Sequence, residues 1–237
     1  MEQVGKNRKP LRILIALILL ACMADFTFAI ERPDFLKAVA ENKITPIIEG
    51  NSLLGSAYGE IVEISIQNET AETIETVLEK GTILESKNPA TQDLVVSKDL
   101  PLRVGPHEFL DPPVSVFCIE INKNAPSILD FYKKPTRKAT GDLLKLVNYI
   151  DNKQLHDNRA AQIAVWSISD KLTKNKAISL EYGSEADAGL AQRILNDCNI
   201  QNSFTSNGDD NIPLYFIGVI LYLILVIFIL RYLNKII

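Results

Sequence analysis

Histidine and cysteine, on which most metal sites and many catalytic sites depend, are scarce in this chain of 237 residues. The two histidines are His107 and His156, and neither has a second ligand at the spacing of a zinc motif. The chain also lacks a phosphate-binding P-loop, a dinucleotide-binding Gly motif and a Gly-x-Ser-x-Gly elbow. We therefore expect no metal, no cofactor and no turnover chemistry, so the sequence argues against an enzyme.

The chain also has no excess of positive charge. Its formal net charge is −4, and because both ends are basic, the segment between them is more acidic than this total indicates. An acidic surface repels a phosphate backbone, which argues against nucleic-acid binding. Wholesale disorder is not expected either, since hydrophobic residues make up 47% of the chain and charged residues 23%.

The first 29 residues have the three regions of a secretory signal. A basic stretch at 6–12 precedes an uncharged apolar run at 13–24, and residues 27–29 supply the small side chains of a cleavage site. The run is too short to cross ~30 Å of hydrocarbon. Two alternatives stay open: an uncleaved signal anchor, or a lipid-modified Cys22, because residues 19–22 resemble a lipoprotein box.

Residues 212–230 contain no charged side chain, which predicts a transmembrane helix. At 1.5 Å per residue this helix would extend roughly 28 Å, about the thickness of the hydrocarbon core. Arg231 and Lys235 follow the span and two aspartates precede it, so the positive-inside rule places residues 231–237 in the cytoplasm. The sequence therefore predicts a single-pass protein of the cell membrane whose larger part lies outside.

The segment that follows the signal has the pattern of an antiparallel β-sandwich. Apolar and polar residues alternate at 60–67 and 100–104, and breakers recur between such segments at short intervals. Further strands are expected at 73–79, 82–85 and 93–97. The run at 114–121 is apolar on both faces, which predicts an interior strand. We expect the sandwich over residues 30–126, with a short opening helix at 34–42.

A helical pattern replaces the strands in the next part of the chain. Helices are expected at 143–150, 159–169 and 186–197. Asp157 is placed to cap the second of them, and Ser184 begins a capping box for the third. We therefore expect a helical subdomain over residues 127–200, joined to the membrane by a linker at 201–211. The predicted fold class is α+β, a sandwich followed by helices.

Two cysteines remain in the expected exported part, Cys118 in the interior strand and Cys198 after the last helix. In an oxidising compartment an even pair of cysteines is most simply a disulfide. This bridge would close a loop of about 80 residues and contribute ~4 kcal/mol in the chain-entropy model. An enzyme that pairs Cys118 with His156 is an alternative, but an interior strand offers no group that would stabilise the thiolate.

Two short segments, Phe-Cys-Ile at 117–119 and Ala-Gln-Ile-Ala-Val-Trp at 161–166, resemble the paired motifs of thioester domains in bacterial surface adhesins. In that family an aromatic residue or Leu precedes the cysteine, and a Gln stands four residues before a Trp. The resemblance implies that Cys118 attacks the side-chain amide of Gln162, expels ammonia and leaves an internal thioester. An amine on a host surface would open this bond. Gln162 and Trp166 would share one helix face.

Two functions follow from these observations. The first is a membrane-anchored module outside the cytoplasm that binds a cell-surface protein or another ligand without turnover chemistry. The second, implied by the resemblance, is a covalent surface adhesin whose internal thioester joins Cys118 to Gln162.

Overall fold

The computed structural model describes residues 34–51, 56–179, 183–201 and 204, all of which belong to one compact unit. The expected signal, Cys22 and the expected span at 212–230 lie outside the described residues. Among the residues that are described, no helix has the length and apolar character needed to cross a membrane.

Nine strands and five helices make up the described part of the chain. They run in the order α1 (Phe35–Ala40), β1 (Ile44–Gly50), β2 (Tyr58–Asn68), β3 (Ile74–Leu78), β4 (Ile83–Leu84), β5 (Leu94–Val96), β6 (Leu100–Val104), β7 (Phe109–Leu110), β8 (Pro113–Cys118), β9 (Phe131–Tyr132), α2 (Gly141–Asn152), α3 (Arg159–Ser169), α4 (Lys174–Ser179) and α5 (Glu185–Asp197). The α+β class and the antiparallel sheets are confirmed.

The larger sheet has the strand order β4-β5-β8-β2-β1-β9, with β7 paired to β2 beyond the end of β8. Hydrogen bonds of 2.8 Å from Lys87 N to Phe131 O and from Lys133 N to Glu85 O join β9 to the continuation of β4. The six strands therefore form a closed ring. β3 and β6 form a separate antiparallel pair.

This ring differs from the two facing layers of the expected sandwich. The difference arises after residue 126, where only helices are expected from the sequence. Residues 131–139 are extended there and pair with residues 81–87, including bridges between Ser86 and Tyr132 and between Thr82 and Lys138. These pairings supply the partner that closes the sheet.

Strand β8 occupies the interior position that its sequence predicts, between β5 and β2. Both of its faces are buried, with Val116, Phe117 and Cys118 all fully inaccessible to solvent. Burying a side chain of the size of Phe117 stabilises a fold by about 1.5–3 kcal/mol. The strand is therefore a rigid support for the residues at its end.

Strand β1 is missed in the sequence because Pro46 interrupts its apolar run. Proline removes a ladder hydrogen bond, yet β9 pairs only with Ile48 and Glu49 of this strand, so Pro46 lies where one side of the strand needs no partner. At the end of β1, Gly50 contacts the backbone of Ser127. A Cβ there would lie 2.1 Å from the Ser127 carbonyl oxygen, so this close approach requires glycine.

The three expected helices are all confirmed, as α2, α3 and α5, each within two residues of the expected bounds. Helix α3 begins at Arg159, but its cap is wrong in the sequence prediction: the side chain of Asn158, not Asp157, accepts from Ala160 N and Ala161 N. Asn158 directly precedes the first helical residue, which is the position from which a side chain reaches those donors. The capping box of α5 is confirmed, since Ser184 and Asp187 satisfy each other's backbone N–H groups.

Candidate functional site

The two segments that carry the thioester-domain resemblance meet in the fold. Cys118 ends strand β8 and Gln162 lies in the first half of α3, 44 residues later. The Gln162 Nε2 donates to the Cys118 carbonyl oxygen at 2.8 Å, and the Cys118 N–H donates to Gln162 Oε1 at 3.0 Å. The amide of Gln162 therefore bonds to the end of β8 as a neighbouring strand would.

Helix α3 can place an amide there because it is buried along most of its length. It packs against β8, α2 and α5, and every residue from Ala160 to Ser167 is buried. Three of the residues at 160–164 are alanines, and their small side chains permit the helix backbone to approach the sheet closely. Gln162 is the polar exception in this apolar stretch, and both of its amide atoms are bonded to Cys118.

Trp166 lies one helical turn beyond Gln162 and forms the next part of the site. Its Nε1 donates to Gln92 Oε1 at 3.4 Å, and the same oxygen accepts from Glu120 N at 3.2 Å. The hydroxyl of Tyr132 donates to the Gln92 carbonyl oxygen at 3.4 Å. Gln92 thus links the indole to the chain that leaves β8.

Gln92 and Tyr132 are site residues that the sequence does not identify. Gln92 lies in a short polar stretch between strands, a pattern typical of a solvated loop, yet only 3% of it is exposed. No local motif marks either residue, since their roles depend on pairings between distant parts of the sheet. Contacts of this kind have no signal in a single sequence.

The side chains of Cys118 and Tyr132 are both neutral at neutral pH. Burial, with a smaller effect of the Glu120 carboxylate, raises the pKa of the Cys118 thiol far above its ordinary value, so the thiol keeps its proton. Burial likewise raises the pKa of the Tyr132 phenol. The Gln162 amide bonds to the backbone N–H and the backbone carbonyl oxygen of Cys118, whose thiol is neutral. A neutral thiol is a weaker nucleophile than a thiolate, so attack by Cys118 on the amide requires that the thiol give up its proton.

Cys118 and Cys198 are both free and buried, so the disulfide expected between them is not formed in this structure. Cys198 is the C-cap of α5, and burial raises the pKa of its thiol as well. Each sulfur therefore lies in its own buried environment, as an uncharged apolar group.

The Cys118–His156 pair is not formed. His156 Nδ1 lies 3.3 Å from Ser97 Oγ, and its Nε2 lies 3.5 Å from Asp151 Oδ1, so both ring nitrogens are engaged by other groups. Burial lowers the pKa of His156. Ser97 is fully buried and donates to Ser115 Oγ at 2.9 Å, so its hydroxyl is engaged within the core. Among the described residues, no cluster of candidate ligands could hold a metal ion.

No protein-family model, curated protein or solved structure matches this chain. The likeness to thioester domains is therefore confined to the two motifs and to the contact that the fold makes between Cys118 and Gln162.

Proposed function

We propose that this chain is a single-pass membrane protein that presents an attachment module outside the cytoplasm and performs no turnover chemistry. The signal-like residues 1–29 and the uncharged stretch 212–230 support this placement. In this proposal residues 30–126 and 127–200 are exported, 201–211 are the linker, and the tail at 231–237 is cytoplasmic. The partner is a protein or another ligand at the cell surface.

The placement predicts which lysines a membrane-impermeant amine reagent modifies on intact cells. Lys37, Lys87 and Lys134 are exposed in the structure and are expected to react, whereas Lys235, beyond the span, is expected to react only after lysis. Peptide mass mapping of the labelled chain measures each site. Exposed amines react in the folded protein, so the compactness of the domain does not prevent these lysines from being labelled. Labelling of Lys235 in intact cells, or none of the other three, would overturn the placement.

The hydrogen bonds from the Gln162 amide to the Cys118 backbone hold this amide at the residue that carries the thiol, which supports a covalent form of this function. In the proposed step, Cys118 Sγ adds to Gln162 Cδ and the Cδ–Nε2 bond breaks. The departing nitrogen takes the thiol proton and leaves as ammonia. An amine of the target then adds to the same carbon, the thiol is released with its proton, and an amide joins the two molecules.

Two features of the site support this step. The Cys118 N–H, 3.0 Å from Gln162 Oε1, stabilises the negative charge that develops on this oxygen during attack. Burial of Cys118 and Gln162, each with 0% exposure, excludes the water that would hydrolyse a thioester. The same burial keeps the thiol protonated, so the attack requires transfer of this proton to the leaving nitrogen.

Peptide mass mapping of the full chain, purified without reducing agent, tests the covalent form. We expect the peptides that contain Cys118 and Gln162 to be linked, with the mass of one ammonia missing, and to separate after treatment with methylamine. Gln162→Glu is a control of nearly the same shape, and Cys118→Ser removes the thiol; both are expected to give unlinked peptides of full mass. Full mass in the unsubstituted chain, with no methylamine adduct, contradicts a thioester.

A further inference from the structure

A tight turn before β9 presents two large aliphatic side chains to solvent. Asp130 N donates to the Ser127 carbonyl oxygen at 3.0 Å, which closes a four-residue turn with Ile128 and Leu129 at its centre. Ile128 is 49% exposed and Leu129 is 81% exposed. Turn centres are usually polar or glycine, so two aliphatic residues there need an explanation.

The buried side chain of Asp130 fixes the conformation of this turn. This carboxylate is 6% exposed and accepts from Ser127 N at 2.9 Å, from Ser127 Oγ at 2.8 Å, from Thr91 Oγ1 at 2.7 Å and from Asn88 Nδ2 at 3.0 Å. Gly50 N also donates to the Asp130 carbonyl oxygen at 2.9 Å. The aliphatic side chains are therefore displayed in a fixed position, so little ordering is needed when they bind.

The apolar surface continues from the turn onto the outer face of the ring. Phe131, 42% exposed, is paired with Glu49 of β1, and Ile47, 55% exposed, lies two residues away on the same face. Diagonal neighbours of this kind are ~7–8 Å apart in an antiparallel pair. We call Ile47, Ile128, Leu129 and Phe131 the apolar ridge.

Basic side chains border the apolar ridge. The Lys87 ammonium lies 6.0 Å from the centre of the Phe131 ring, and Lys133 follows Phe131 at the next position on the same strand face. Lys134 and Arg137 are also exposed along this stretch. In a chain of net charge −4, this is a local excess of positive charge.

Three carboxylates, those of Glu49, Glu85 and the buried Asp130, lie in the same area and reduce this excess without cancelling it. Glu85 is bonded to Lys133 at 3.3 Å and to Arg137 at 2.9 Å, and Glu49 faces outward beside Phe131. Lys87 makes no ion pair with any of these carboxylates among the described contacts. An apolar ridge with a basic border complements a bilayer that contains anionic lipids.

The length of the remaining chain brings the described unit close to the membrane. Phe204 is 2% exposed and so belongs to the packed core, whereas the expected span begins at residue 212. The seven intervening residues extend at most ~25 Å, at ~3.3–3.6 Å per residue. Some face of the unit must therefore lie near the lipid headgroups.

We propose that the apolar ridge docks on the outer surface of the bilayer, with Ile128 and Leu129 entering the boundary between headgroups and acyl chains. Lys87 and Lys133 contact anionic headgroups at its border. The proposal rests on the proposed function, because the span supplies the tether. It assigns the ridge to lipid and leaves the Cys118–Gln162 site for the target.

Fluorescence quenching of the full chain in vesicles with brominated acyl chains tests this docking. Leu129→Trp places an indole at the tip of the ridge, and Phe109→Trp, 61% exposed on β7 between Glu108 and Asp111, is the matched control. The unsubstituted chain gives the signal of Trp166. We expect the Leu129→Trp indole to lose about half its emission in vesicles containing phosphatidylglycerol, since interfacial side chains enter ~5–10 Å. The control keeps its emission.

Removal of the Lys87 charge gives a second test of the docking. Lys87→Gln is expected to lower the ratio of docked to undocked chains about fivefold in phosphatidylglycerol vesicles, because one Lys near such a surface contributes about that factor. In pure phosphatidylcholine vesicles the substitution should have little effect. Equal quenching of the two indoles, or a Lys87→Gln chain that docks as the parent does, would overturn the proposal.

Failure of the docking and failure of the span are distinguishable. If an alkaline wash leaves the chain in the vesicles but the Leu129→Trp indole is not quenched, the span stands and the docking is wrong; the ridge then faces a protein. If the wash removes the chain, the span is wrong. Vesicles added to the washed chain then decide the docking alone: sedimentation with quenching supports it, and no sedimentation overturns it.

Discussion

Gln162→Ala is expected to lower the free energy of unfolding by about 3–5 kcal/mol, the largest effect of any single substitution proposed for this chain. The change opens a cavity in a fully buried place and removes both hydrogen bonds between the side chain and Cys118. The Cys118 N–H keeps its bond to Ala57 O, but the carbonyl oxygen loses its Gln162 donor. Chemical denaturation followed by circular dichroism measures the change.

Two variants separate the causes of this loss. Gln162→Met nearly conserves the volume and removes the amide, so it measures the hydrogen bonds without most of the cavity. The Cys118→Ala chain cannot form a thioester but retains the backbone atoms that Gln162 contacts, and it is the reference background for both substitutions. If Gln162→Met is as stable as its parent in that background, the hydrogen bonds do not brace the fold, contrary to expectation.

Asp130→Ala is expected to cost about 3–4 kcal/mol, because it leaves the buried donors of the turn without an acceptor. Burial acts to raise the pKa of this carboxyl, but the hydrogen bonds from Thr91, Asn88 and Ser127 outweigh it and hold the pKa below the ordinary value. The charged form is therefore the stabilising one. Its contribution is complete above about pH 4, the pKa of an unfolded Asp, and is lost as the pH falls through the lower folded pKa.

Unfolding measured between pH 7 and pH 3 checks the sign of this dependence. The parent chain is expected to lose stability at the acid end more steeply than Asp130→Asn, which has no charge at this position. Asp130→Asn keeps the size and one acceptor, so its loss at neutral pH should be smaller than that of Asp130→Ala. Parallel curves for the parent and Asp130→Asn would show that the carboxylate charge does not stabilise the turn.

Local sequence patterns predict many of the strands and helices of this fold but few of the pairings between them. Alternation identifies β2 and β6, apolarity on both faces identifies β8, and the capping box of Ser184 identifies α5. Each of these signals lies within one element. The closing of the ring depends on residues 131–139 pairing with residues 81–87, some fifty positions away. No periodicity within either segment specifies that partner.

The candidate site likewise contains residues that the sequence predicts and residues that it does not. The resemblance to thioester domains identifies Cys118, Gln162 and Trp166, and in the fold the Gln162 amide bonds to the Cys118 backbone. The role of Gln92 as the acceptor of the Trp166 indole could not be predicted, because a glutamine between two short strands is typical of a solvated loop. Burial overrides this local preference, and burial is set by the whole sheet.

The closed ring has a consequence for how this protein meets other molecules. An open sheet ends in a strand with unsatisfied N–H and C=O groups, to which a foreign strand can be added, and this is a common route to fibrils. In the ring, β4 and β9 satisfy each other's backbone instead. Another polypeptide therefore cannot add between β4 and β9, and the part of β1 without a β9 partner carries Pro46, which removes a backbone donor from that edge. On a crowded surface these two features limit polymerisation of neighbouring copies through the sheet.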